Sequence, residues 1–184
     1  DQYVDPTHGL TALLHDQSPL SVIDQFTDLV SSDPIHRLTV VSPFWDEALS
    51  ALKRLKQGLG DPPVRVLIER ERGLFPRDAA HDVKDLSIHD LTPLQSNRRL
   101  HAKLFIAEGQ SFDHVLAGSM NCSVAALMRI NGKSRNAEVG LYRRVPAGMA
   151  VDAMGFSTCF ESHIQISELP PLQEQLETTI PTNV

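Results

Sequence analysis

LHAKLFIAEGQSFDHVLAGSMNCSVAALMRINGKSRNAE, residues 100–138, is the stretch from which the rest of the chain can be read. The run LHAKLFIA has strand composition, and a period of two puts His101, Lys103 and Phe105 on one face with Leu100, Ala102, Leu104 and Ile106 on the other. An imidazole and an ammonium thus project together, about 6.5 to 7 Å apart at the rise of a strand, close enough to grip one small anion such as a phosphate. After Glu108 and a polar turn, His114 to Ala117 reads as a second strand, and Gly118-Ser119-Met120-Asn121 leads into a helix-like SVAALMR. Gly118 permits close backbone approach, while Ser119 and Asn121, expected where that helix begins, offer a second set of anion-binding donors.

The spaced pattern resembles the phospholipase D superfamily: His-x-Lys-x4-acid at His101, Lys103 and Glu108, then Gly-Ser-x-Asn, then Asn136-Ala137-Glu138 at the head of an apolar strand. The resemblance covers about residues 38–142 and is sharp from Leu100 to Glu138. Glu108 stands where the family has Asp, a mostly structural position there. The resemblance implies catalytic roles for His101, Lys103, Asn121 and Glu138. It also implies phosphate binding by Lys103, Ser119 and Asn121, and a phosphohistidine formed on one imidazole while a second protonates the leaving oxygen. Glu138 would accept a hydrogen bond from the nucleophilic ring. Many members of the family carry two copies of the motif; this sequence has one. A complete site is then expected from a homodimer, or from a second motif-bearing half in a longer parent chain.

Working outward, residues 1–17 lack strong periodicity and are expected to be an N-terminal extension, and a start at Asp1 without Met is expected of an excised domain. The domain proper is expected over residues 18–169, with 170–184 as a tail or linker. An amphipathic helix is expected over Ser18–Val30, a buried strand at LTVVS, a helix from Asp46 to about Gln57, and a strand at VRVLIE. That β-α-β order predicts a parallel pair with a right-handed crossover. Further strands are expected at Leu86–Leu91, Arg98–Ala107 and Ala137–Tyr142, and a closing helix at Val151–His163, weakened by Gly155. The fold class is α/β: a mixed, largely parallel sheet flanked by helices on both faces.

The 184 residues suffice for one domain with a good core, and 41% hydrophobic and 22% charged residues are ordinary for a soluble globular protein. No apolar run approaches the ~18 residues of a membrane span, and no signal peptide is evident; a cytoplasmic protein is expected. Cys122 and Cys159 form no metal-ligand spacing or disulfide framework, and neither a metal nor another cofactor is implied.

The net charge of −6 excludes a uniformly basic nucleic-acid binder. Basic residues nevertheless gather near the motif, at Arg98, Arg99, Arg129, Lys133, Arg135, Arg143 and Arg144, as a solvated face or as a phosphate-tracking rim. Arg99, Arg135 and Trp45 are the candidate rim residues, Trp45 being either core packing or a base-stacking ring. His114 reads as a satisfied structural histidine. The function expected is a metal-independent phosphodiesterase, a nuclease hydrolysing DNA, within a larger DNA-processing or defence protein. Alternatives are a noncatalytic nucleic-acid-binding or dimerisation module and a lipid phosphodiesterase. The 5% aromatic content, with no apolar interfacial stretch, speaks against the last.

Overall fold

The computed structural model describes residues 2–5, 9–70, 74–92 and 101–171. Its strands are β1 (Gln2–Asp5), β2 (Gly9–His15), β3 (Ile35–Val41), β4 (Val64–Ile68), β5 (Leu86–Asp90), β6 (Leu104–Gly109), β7 (Phe112–Gly118), β8 (Val139–Pro146) and β9 (His163–Ile164). The helices are α1 (Val22–Val30), α2 (Ser50–Gly58), α3 (Arg77–Ala80), α4 (Val124–Leu127) and α5 (Met149–Ala153). Among the described residues the strands form one nine-stranded sheet in the order β1-β2-β8-β7-β6-β3-β4-β5-β9.

The mixed α/β architecture agrees with expectation, but the sheet is mostly antiparallel. Only β3–β4 and β4–β5 pair in parallel; the other six pairings run antiparallel. The β3-α2-β4 unit is the parallel part, with Leu38 opposite Val64 and Val41 opposite Leu67. β6 and β7 are joined by residues 110–111 alone, too few for the crossover that a parallel pair requires. The expected extension is also corrected: residues 2–5 and 9–15 lengthen the sheet, with Leu13 opposite Leu141 in β8.

One face of the sheet lies under α1, α2 and α4. The α1 residues Val22, Ile23, Phe26 and Val30 recur at helical spacing and are buried, each stabilising the fold by ~1.5–3 kcal/mol relative to exposure. Ser21 rather than Ser18 caps this helix, its hydroxyl accepting from Asp24 N at 3.1 Å. At α2 the Asp46 carboxylate accepts from Ser50 N at 2.6 Å and Ala51 N at 3.0 Å. Leu38, Val40, Phe105, Leu116 and Tyr142 face these helices from the sheet. On the opposite face α5 and the 3-10 turn Phe156–Glu161 cover Val41, Leu67, Leu104 and Ile106. The expected helix Val151–His163 is interrupted there by Gly155 at φ 72°, a left-handed conformation that glycine adopts readily. Met154 is 47% exposed, whereas Phe156 and Ile164 are buried.

His114 is a satisfied core histidine. Its Nδ1 lies 2.7 Å from the Tyr142 hydroxyl and its Nε2 lies 3.1 Å from Asp33 Oδ2. The same Asp33 carboxylate accepts from Ser111 N and Phe112 N, which ties the β6–β7 turn to the end of α1. No helix among the described residues is long and apolar enough to cross a membrane.

Candidate active site

The antiparallel pairing gathers the ends of three strands. β6 begins, β7 ends and β8 begins at the same margin of the sheet, since Leu104 lies opposite Ala117 and Gly118 opposite Gly140. β3 ends there too, with Val41 opposite Leu104. The residues just outside these ends are His101 and Lys103, Ser119 and Asn121, Glu138, and Trp45.

His101 and Lys103 lie before β6 rather than within it, so the expected strand Arg98–Ala107 is corrected to Leu104–Gly109. Freed from strand geometry, the two side chains meet: Lys103 Nζ is 2.9 Å from His101 Nε2 and donates to His101 O at 3.0 Å. With Lys103 as the ammonium, which has only donors, Nε2 is the acceptor of this contact. His101 is exposed whereas Lys103 is buried. Burial lowers the Lys103 pKa, and the nearby Glu138 charge opposes that shift.

Glu138 is held on all sides. Ser119 Oγ donates to its Oε2 and Asn136 Nδ2 to its Oε1 at 3.1 Å. Its backbone exchanges bonds with Asp16: Glu138 N donates to Asp16 Oδ1 at 3.1 Å, and Asp16 N donates to Glu138 O at 3.2 Å. Ser119 Oγ also accepts from Val139 N at 3.1 Å, so this hydroxyl is committed to orienting Glu138. Besides these contacts the Lys103 charge lies near Glu138. Gly118 allows the approach, because a Cβ there would run into Val139 O and come within 2.7 Å of Gly140 Cα.

Neither Ser119 nor Asn121 sits at a helix start, as α4 begins only after Ser123. Asn121 is placed instead by Cys122, whose N donates to Ser42 Oγ at 2.9 Å at the end of β3, while Trp45 forms a backbone bridge with Cys122. The Trp45 ring packs edge-on against Phe75 at 5.1 Å. Asn121 Oδ1 and Trp45 Nε1 are both buried without a partner among the described residues, an acceptor and a donor on adjoining segments. Such orphaned polar atoms are uncommon and call for a ligand or water.

Glu108 lies elsewhere. It is four residues into β6 from Leu104, roughly 13 Å along the strand, and accepts from Thr39 Oγ1 at 2.8 Å. Burial raises its pKa, opposed by the Thr39 hydrogen bond and by Arg37. The basic residues do not form one rim. Arg129 turns to backbone carbonyls, Arg143 and Arg144 sit four and five residues along β8 from its first residue, and Arg144 covers the Phe112 ring at 4.1 Å. Arg135 is exposed near Glu138, and Arg99 falls outside the described residues. Sequence reasoning missed Asp16 and Ser42, whose site contacts lie 122 and 80 residues away along the chain. Among the described residues no three His, Cys, Asp or Glu side chains converge as a metal-binding group.

Neither a protein-family model nor a curated protein matches the chain. Solved structures do. NucT from Helicobacter pylori aligns with a TM-score of 0.52 at 12% identity, over 84% of this chain and 97% of that one. The chain shares its fold with that structure. Nuc from Salmonella typhimurium, described as a phospholipase D family member, aligns with a TM-score of 0.49 at 13% identity, over 84% and 95% of the two chains. Within this fold the His101, Lys103, Ser119, Asn121 and Glu138 set is collected at one end of the sheet.

Proposed function

We propose that the chain is a metal-independent phosphodiesterase, a nuclease that hydrolyses DNA through a phosphohistidine intermediate. The observation that carries this reading is the 2.9 Å contact of Lys103 Nζ with His101 Nε2, which sets an exposed imidazole nitrogen beside the cation that would hold the phosphate. In the reaction His101 Nε2 forms a bond to phosphorus as the bond to the leaving oxygen breaks. Lys103 has by then turned from Nε2, freeing that lone pair, to the equatorial oxygens, where charge accumulates, and the amide of Asn121 adds a second donor. A second imidazolium gives its proton to the leaving oxygen, and the same ring, now neutral, takes a proton from the water that displaces His101.

That second ring is the His101 of another copy of the chain, arranged on a twofold axis. Val139, 49% exposed and next to Glu138, begins an apolar row that continues through Leu141 and its cross-strand neighbour Leu13, 52% and 53% exposed. A uniformly solvated sheet face would not carry such a row beside the site. DNA is favoured over lipid by the basic loop before Glu138 and by the scarcity of aromatic residues.

Hydrolysis of bis(p-nitrophenyl) phosphate and of single- and double-stranded DNA in excess chelator, wild type against His101→Ala, tests this reading, with sedimentation on the same samples. Chelator-resistant turnover by a dimer, abolished by the substitution, is expected. A folded wild type without turnover would overturn it in favour of a noncatalytic binding module.

A further inference from the structure

The segment between α4 and β8 is basic, open and rigidly built. Ile130 N donates to Lys133 O at 2.9 Å and Lys133 N to Ile130 O at 3.1 Å, around Asn131 at φ 51° and Gly132 at φ 74°. Two successive positive φ angles inside a mutually bonded pair mark a type I′ turn, which Asn-Gly favours. Arg129 braces it from below. Its guanidinium donates to Gly132 O within the turn, and to Asp16 O at 3.0 Å and Ser18 O at 2.6 Å across the β2–α1 connection. Ser134 Oγ donates to Asp16 O at 3.3 Å. One arginine is thus turned inward to hold the hairpin, while Lys133 and Arg135 are exposed and no carboxylate among the described residues lies within ion-pair distance of either. The following residues, Asn136 and Glu138, belong to the site itself.

We infer that this braced hairpin is a subsite for the polynucleotide flanking the scissile phosphate, with Lys133 and Arg135 binding neighbouring phosphates of the same strand. The inference rests on the phosphodiesterase reading above. Arg135 is three residues from Glu138, which limits their backbone separation to about 11 Å, a reach suited to adjoining phosphates. A connection needing only to join α4 to β8 would require neither the brace nor the charge. On a chain of net charge −6, two cations beside the site with no carboxylate partner among the described residues are where a polyanion is drawn in. The brace fixes their backbone in advance, so less ordering remains to be done on binding.

The test measures affinity for a single-stranded oligodeoxynucleotide across a salt series, in a His101→Ala background that cannot cleave it. Each phosphate contact to a single strand contributes about 0.7 to the slope of log K against log salt, so Lys133→Gln with Arg135→Gln should reduce that slope by about 1.4. Gly132→Ala strains the turn, with open space around the added methyl and both charges kept; it should weaken binding several-fold at an unchanged slope. An unchanged slope in the double variant would overturn the inference. Wild-type hydrolysis of bis(p-nitrophenyl) phosphate, which has no flanking phosphates, separates the two failures. Turnover with an unmoved slope removes the subsite alone, whereas a reduced slope without turnover removes the enzymatic reading and leaves a binding surface.

Discussion

Asp16 is the residue whose replacement speaks most directly to how the site is held. Its backbone bonds to Glu138 O, Arg129 and Ser134 survive any substitution, so Asp16→Ala removes essentially one site contact, the acceptance of Glu138 N by Oδ1 at 3.1 Å. A hydrogen bond to an ionised group contributes ~1.5–3 kcal/mol, and the half-buried setting of Asp16 screens this to ~1 kcal/mol. If Glu138 must stay in register with Ser119 and Lys103 for the transition state, that energy appears in the barrier, and kcat falls roughly 5-fold at little change in KM. Asp16→Asn keeps an Oδ1 acceptor in the same place and should recover most of the loss. The assay is steady-state hydrolysis of bis(p-nitrophenyl) phosphate by wild type and both variants, with urea unfolding on the same preparations. An Asn variant as impaired as the Ala variant would refute the positional argument, because charge rather than geometry would then be at work. An Ala variant with unchanged kcat would refute it equally.

Gly118→Ala forces a methyl into the β8 backbone at Val139 and Gly140, where neither side can yield as a flexible side chain would. It should destabilise the protein by ~1–3 kcal/mol in urea unfolding and disturb Ser119 with it. Acid should unfold the protein in two stages. Burial holds the His114 pKa below 6.5 in spite of Asp33, so the folded state refuses a proton that the unfolded chain accepts, and stability falls as pH drops below about 6.5. For Asp33, burial raises the pKa but the bonds from His114, Ser111 and Phe112 prevail and lower it below 3.8, so a second loss follows as pH falls below that value. Urea midpoints between pH 8 and pH 3 should show both steps, and His114→Gln should flatten the upper one; a midpoint independent of pH down to pH 5 would contradict it.

The motif was legible because phosphate chemistry requires a few residue types at short range, and His101, Lys103, Ser119, Asn121 and Glu138 sit within 38 residues. The helices and strands of the first parallel unit were legible from periodicity, as at Val22, Ile23, Phe26 and Val30. β2 was not. Ala12 and Leu14 turn into the core while Leu13 stays 53% exposed, so its alternation joins apolar residues on both faces and resembles no half-buried pattern. Asp16 was invisible for a related reason: its carboxylate accepts from a backbone N–H 122 residues away, and a backbone donor leaves no side-chain signature. Lys103 and His101 were placed on a strand face by composition, and the structure shows them just before the strand, where Nζ reaches Nε2.

The antiparallel order of β6, β7 and β8, which the expectation of a largely parallel sheet overlooked, is what a site shared by the motif's three segments requires. Lys103 precedes β6, Ser119 follows β7 and Glu138 precedes β8, and one phosphate can be shared by all three only if successive strands reverse direction. In a parallel arrangement the start of β6 and the end of β7 would lie at opposite margins of the sheet, roughly 20 Å apart over six or seven residues. The same constraint removes Glu108 from the chemistry, since an acid near the end of β6 must lie at the margin away from Lys103. It is there, bonded to Thr39 and facing Arg65 at 4.0 Å. The spacing of the site residues thus carries the topology as well as the chemistry.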